Sequence, residues 1–128
     1  MKPTLTALIV GLVLAPLPAI AHHAFAAEFD AEKAVTVQGA VSKVEWTNPH
    51  IWIYVDMKDA EGNVARWQCE GGSPNTLTRQ GWTRDSLKVG DRVSIEGFRA
   101  KNGSNTCNSR VVTTADGKRL FAGSSSGQ

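Results

Sequence analysis

The sequence predicts a mostly β fold, a five-stranded OB-like Greek-key barrel with one short helix between strands 3 and 4. Three observations carry this. The chemistry of the chain runs strand, strand, strand, helix, strand, strand. The first β pattern is long enough to bend across two sheets. The segment beyond an N-terminal leader is just over a hundred residues, enough for one core, and closing a barrel removes the exposed sheet edges of so small a domain.

The first strand is read from Ala34 to Thr47, where Val35, Val37, Val41, Val44 and Trp46 give β-branched and aromatic enrichment and Gly39 marks a bulge. Thr47-Asn48-Pro49 is a turn. His50 to Met57 then alternates Ile51, Ile53 and Val55 against His50, Trp52 and Tyr54, the period of a strand with one buried face. Asp59 to Asn63 is a hairpin connection into a third strand, Val64 to Glu70, in which Ala65, Trp67 and Cys69 share a face. Ser73-Pro74 starts a helix of about two turns, a capping hydroxyl followed by proline at the first helical position, and Gly81 stops it. Val93, Ile95 and Gly97 or Phe98 mark the fourth strand and Thr106 to Thr114 the fifth. Asp116-Gly117 turns into a short extra strand over 118–121.

Residues 1–21 read as a cleaved secretory signal. Lys2 supplies the positive start, Leu5 to Leu14 the apolar stretch, and Ala19-Ile20-Ala21 the small-x-small cleavage pattern. The apolar run is shorter than the roughly 20 residues of a bilayer span, and Pro16 and Pro18 interrupt its end. A second small-x-small site, Ala24-Phe25-Ala26, would discard His22 and His23 with the signal. The plan that follows is a signal over 1–21, an N-terminal segment over 22–33, the barrel over 34–123 and a disordered tail over 124–128. The location is the periplasm or the secreted fraction, with no stable membrane anchor after cleavage.

Removing the signal lowers the formal charge from +2 to +1, with both signs mixed along the chain. No polybasic footprint remains to neutralise many phosphates, so nucleic acid is excluded as a partner. The expected partner is an unidentified exported or envelope component, and the protein a monomer. Cys69 and Cys107 are the two cysteines of a chain sent to an oxidising compartment, which favours one disulfide. Closing a loop of that length contributes roughly 3 to 5 kcal/mol. Thiolate metal ligation is the alternative, and neither cysteine has a Cys-x-x-Cys neighbour. In the predicted barrel, strands 3 and 5 are neighbours, which brings the two cysteines near each other.

Several stretches match a recognisable pattern. They are His22-His23-Ala24-Phe25, Glu45-Trp46-Thr47-Asn48-Pro49-His50, Glu70-Gly71-Gly72-Ser73-Pro74-Asn75, Gly81-Trp82-Thr83-Arg84-Asp85-Ser86-Leu87 and Leu120-Phe121-Ala122-Gly123. Over nearly the whole mature chain the sequence resembles a family of small exported bacterial proteins catalogued as a domain of unknown function. The resemblance implies an exported OB-like domain and no established activity. Relatives often carry Ser where Ala24 stands and often lack the cysteine pair, so neither feature is general to the family.

The three histidines fall in two places, His22-His23 at the expected mature start and His50 in the first hairpin. Cleavage after Ala21 leaves His22 with a free α-amine, whose pKa of roughly 7.7 to 8 lets a metal displace its proton near neutral pH. Amine and imidazole of one residue then chelate together. Nitrogen-rich tetragonal coordination suits Cu(II), with His50 or His23 supplying the next nitrogen. The plainer reading is a solvated terminus and a turn histidine packed between Trp46 and Trp52. Exposed aromatics offer a different function, a carbohydrate- or envelope-component-binding module without metal that stacks sugars on Trp52, Tyr54 and Trp82, with Trp46 and Asn48 as further ligand-binding residues. Trp46 and Trp67 fall on positions expected to face the core. No catalytic constellation is present. Glu28, Asp30 and Glu32 read as a solvated run, Glu45 and Glu70 could each lie near His50 without any spacing that requires it, and no serine sits in a nucleophile elbow. The expectation is a binding protein and not an enzyme.

Overall fold

A computed structural model describes residues 25–123. The expected signal, His22, His23 and the tail over 124–128 lie outside the described residues. The strands are β1 (Phe29–Glu45), β2 (Trp52–Lys58), β3 (Val64–Glu70), β4 (Arg92–Ala100), β5 (Thr106–Thr114) and β6 (Arg119–Phe121), with helix α1 (Pro74–Arg79) between β3 and β4. Their order is β3-β2-β1-β4-β5-β6, and a further pairing of β3 with β5 closes the first five into a ring. All neighbours are antiparallel except β3 and β5, which run parallel. This is the OB-like barrel that the order of elements predicts, with β6 added beside β5.

The ring closes because β1 serves two sheets. Its first part pairs β4, from Phe29 opposite Ala100 to Ala40 opposite Arg92, and its last part pairs β2, from Ala40 opposite Asp56 to Glu45 opposite Trp52. Gly39 stands at the crossover, where a Cβ would collide with the backbone carbonyl of Asp56. The bulge expected at Gly39 lies instead between Val41 and Lys43, because the glycine is needed for close approach of β2 and not for an extra residue. β1 also starts at Phe29 rather than Ala34, and β2 at Trp52 rather than His50. The residues ahead of Ala34 are mostly exposed and do not alternate in hydrophobicity. They are extended because Phe29 is buried against the far end of β4.

Val37, Ile53, Val55, Ile95 and Val112 are completely buried inside the ring. α1 is built as its sequence dictates: the Ser73 hydroxyl accepts from the Thr76 amide at 3.2 Å, Pro74 opens the first turn, and Gly81 leaves with φ of 95°. Leu77, Trp82 and Leu87 join the core from this connection. Cys69 and Cys107 face each other across the parallel β3–β5 pair and form a disulfide, with their Cα atoms 4.5 Å apart.

Candidate functional site

The outer face of the barrel brings chemistry together along one row. Trp52 on β2 is opposite Glu70 on β3, Glu70 is opposite Asn108 on β5, and Asn108 is opposite Phe98 on β4. Neighbours in register point to the same side of a sheet. Their adjacent residues Ile53, Cys69 and Cys107 are fully buried, so this row lies outside. His50 reaches the same row from the loop before β2. Ile51, next to it, is clipped to the end of β3 by two backbone bonds, its N–H to the Gly72 carbonyl at 3.1 Å and its carbonyl from the Gly71 N–H at 2.9 Å.

That clip holds the His50 ring against Glu70, with its Nδ1 in contact with the Glu70 carboxylate. The two partners differ sharply in exposure: 39% for the His50 side chain against 9% for that of Glu70. Burial pushes the Glu70 carboxyl above its ordinary range, while His50 beside it pulls the other way and the Glu28 carboxylate adds to the rise. With Nδ1 donating to a carboxylate, a neutral imidazole carries its lone pair on Nε2. A half-exposed histidine oriented in this way by a buried carboxylate is the usual arrangement around a metal-ligating imidazole.

The other end of the row holds the start of the described chain. Residues 25–28 make one helical turn. The Phe25 ring stacks on Phe29 at 5.7 Å and meets Phe98 edge-on at 6.0 Å. Lys101 bonds this turn twice, with its Nζ donating to the Ala26 carbonyl and its backbone N–H to the Glu28 carbonyl at 2.8 Å. Register is broken between Glu96 and Gly97 so that Arg110 is the extra residue of β5, and its guanidinium lies 5.7 Å from the Phe98 ring centre.

The remaining residues singled out by sequence are distributed as follows. Trp52 and Tyr54 are half-buried on the outer face of β2. Tyr54 is already engaged: its hydroxyl donates to Glu45 at 3.4 Å, and Lys43 stands 5.3 Å from its ring centre while pairing with Glu45. Trp46 is half-buried and packs against the core, and Asn48 is exposed in the turn, preceding a cis peptide to Pro49. Trp82 is no stacking surface. It is only 2% exposed, and its Nε1 donates to the Phe121 carbonyl at 2.8 Å, because the chain after α1 turns inward. The disulfide withdraws both thiolates from metal ligation. Among the described residues no three His, Cys, Asp or Glu side chains are gathered to hold a metal, and His22 and His23 are outside that set. An open cleft of about 700 Å³ lies elsewhere, where β1 passes from β4 to β2, lined by residues such as Gln38, Asp56, Lys58 and Arg92.

Sequence reasoning set Glu45 and Glu70 alike as neighbours that His50 could have, without choosing between them, and did not find the seat of Phe25. The signal for Glu70 is the register that puts it beside Trp52. Phe25 and Phe98 are too far apart in sequence to be paired without the fold. A family model described as a family of unknown function, DUF6152, matches residues 10–109. No curated protein matches the chain.

Proposed function

The chain belongs to this DUF6152 family of unknown function, and from its own residues we propose that it is an exported, non-enzymatic binding protein that holds Cu(II). The ligands are the α-amine and imidazole of His22 together with His50, and His23 is available as a further nitrogen. The observation that carries this reading is the His50–Glu70 pair: a surface imidazole fixed through Nδ1 by a buried carboxylate, with Nε2 left as the ligating atom. Export rests on the leader over 1–21, and cleavage after Ala21 creates the amine. A glycan platform has less support, since Tyr54 is engaged by Glu45 and Lys43 and Trp82 is buried.

Intact mass of the exported protein tests the terminus, with His22 expected as the first residue. Cu(II) titration then compares the mature protein with His50→Ala and with a form carrying one extra N-terminal residue. Both changes are expected to weaken binding at least about tenfold, the loss of one ligating group from a chelate. Equal affinity in all three, or a mature chain that starts after Ala26, refutes the proposal.

A further inference from the structure

We infer that the open cleft where β1 passes from β4 to β2 is a second binding site, and that it takes a small organic anion with an apolar body. The inference is independent of the copper reading. Val64, which lines the cleft, begins β3 and Glu70 ends it, so about 20 Å of strand separates this place from the His50–Glu70 pair.

The cleft exists because β1 changes partners. Ala40 pairs both ways, opposite Asp56 on β2 and opposite Arg92 on β4. Two residues earlier, Gln38 stays with Ser94 of β4, while Lys58 of β2 is paired with Val64 of β3. The two strands part there. Gly39 and Ala40 put almost no side chain on the floor, and the longer residues on either side enclose about 700 Å³, the size of a site for a drug-sized molecule.

The lining combines positive charge with apolar surface. Its one carboxylate, Asp56, is taken up by Arg66, whose guanidinium donates to it at 2.8 and 3.3 Å. Asp91, next to Arg92 in the chain, lines a neighbouring hollow instead and accepts from the Lys88 N–H at 2.9 Å. Lys58 and Arg92 have no acidic partner among the described residues. Asp56, Ala40 and Arg92 lie in register on three neighbouring strands, and Lys58 is two residues beyond Asp56, which sets the Cα atoms of Lys58 and Arg92 about 12 Å apart across the cleft. A lysine and an arginine can close that gap on one oxyanion, the arginine through its planar fork. Val64 beside them is 57% exposed, one of two large hydrophobic residues so exposed among those described. It gives the body of the ligand an apolar wall over the Ala40 floor, and burying it is favourable.

Fluorescence titration of the purified protein with anilinonaphthalene sulfonate tests the site, with phenylnaphthylamine as the uncharged counterpart of that dye. The wild type is compared with Lys58→Gln, Arg92→Gln, the two combined, and Ala40→Leu, which fills the floor. Arg79→Gln, at the exposed end of α1, removes a charge outside the cleft. Circular dichroism and urea unfolding check that each variant keeps the barrel, and the charge variants decide the matter if Ala40→Leu does not fold. The sulfonate should bind one saturable site, about three- to fivefold more weakly in each glutamine variant and about tenfold or more in the double variant. Ala40→Leu should abolish binding, Arg79→Gln should leave it unchanged, and phenylnaphthylamine should not distinguish the charge variants from the wild type. A wild type without saturable sulfonate binding, or equal affinity in the wild type and the double variant, overturns the site. Equal losses for both dyes overturn its assignment to an anion.

Discussion

Replacing Cys69 and Cys107 together by alanine opens the only covalent closure of the barrel ring. β3 and β5 meet over three paired positions, Gln68 with Thr106, Cys69 with Cys107 and Glu70 with Asn108, supported by the Gln68 N–H to the Asn105 carbonyl at 3.0 Å. The bridge spans 38 residues of chain, and the loop-closure entropy lost from the unfolded state comes to about 3.9 kcal/mol. Both sulfurs are fully buried, and removing each adds about 0.8 kcal/mol, as for a buried methylene. The double variant should thus lose about 5 kcal/mol, a third or more of the stability of an ordinary domain. Urea unfolding at 25 °C of the oxidised wild type against the variant measures it, and thermal melts should fall by about 20 °C or more. A loss under about 2 kcal/mol would show that β3 and β5 are held by their backbone pairing and that the unfolded chain is not much restricted by the bridge.

Gly39→Ala drives a methyl group into the Asp56 carbonyl at the point where β1 changes partners. It should cost about 1 to 3 kcal/mol or more by urea unfolding, and an unchanged midpoint would refute the close approach. Asp56, Asp59 and Asp116 are held below the ordinary 3.8 of an aspartate, Asp56 first by Arg66, Asp59 by Asn63 and Asp116 by Thr114. Their contribution is present above the unfolded value and is lost as pH falls through the lower folded values. Unfolding midpoints should accordingly drop below about pH 4, and Asp59→Asn should flatten that acid limb; an identical pH profile in the variant would contradict it.

Elements whose signal is local were legible in the chain, and those set by distant neighbours were not. Ser73-Pro74 and Gly81 bound α1 through their own backbone chemistry. Alternation of Ile51, Ile53 and Val55 against Trp52 and Tyr54 separated the two faces of β2 in the sequence, and the complete burial of the three aliphatics shows which of them is inner. The first residues of β1 carry no such pattern, since Asp30 to Lys33 are largely exposed and are held only by what β4 offers to Phe29. Trp82 reads as a surface aromatic until the turn after α1 carries it into the core. In the site, His50 was visible as an isolated histidine after a proline turn. Which of Glu45 and Glu70 would be its carboxylate was not, because Glu70 meets it through a loop clip of Ile51 to Gly71 and Gly72 that no spacing in the sequence expresses.

Glu70 is the residue that makes a purely structural account of His50 incomplete. A carboxylate buried on the outer face of a small barrel is costly unless it is paired and hydrogen-bonded. Replacing a buried ion pair by well-packed apolar residues is often neutral or stabilising. Stability alone would therefore be served as well by an apolar residue opposite Trp52, where the register leaves Glu70. The pair instead fixes the orientation of one half-exposed imidazole, next to a row of side chains that ends at the seat of Phe25. The disulfide sits one residue before both Glu70 and Asn108, so the covalent closure of the ring also sets the spacing between the histidine and the N-terminal segment. The buried carboxylate thus fixes the direction of the imidazole, and the crosslink one residue away holds the strand that carries that carboxylate.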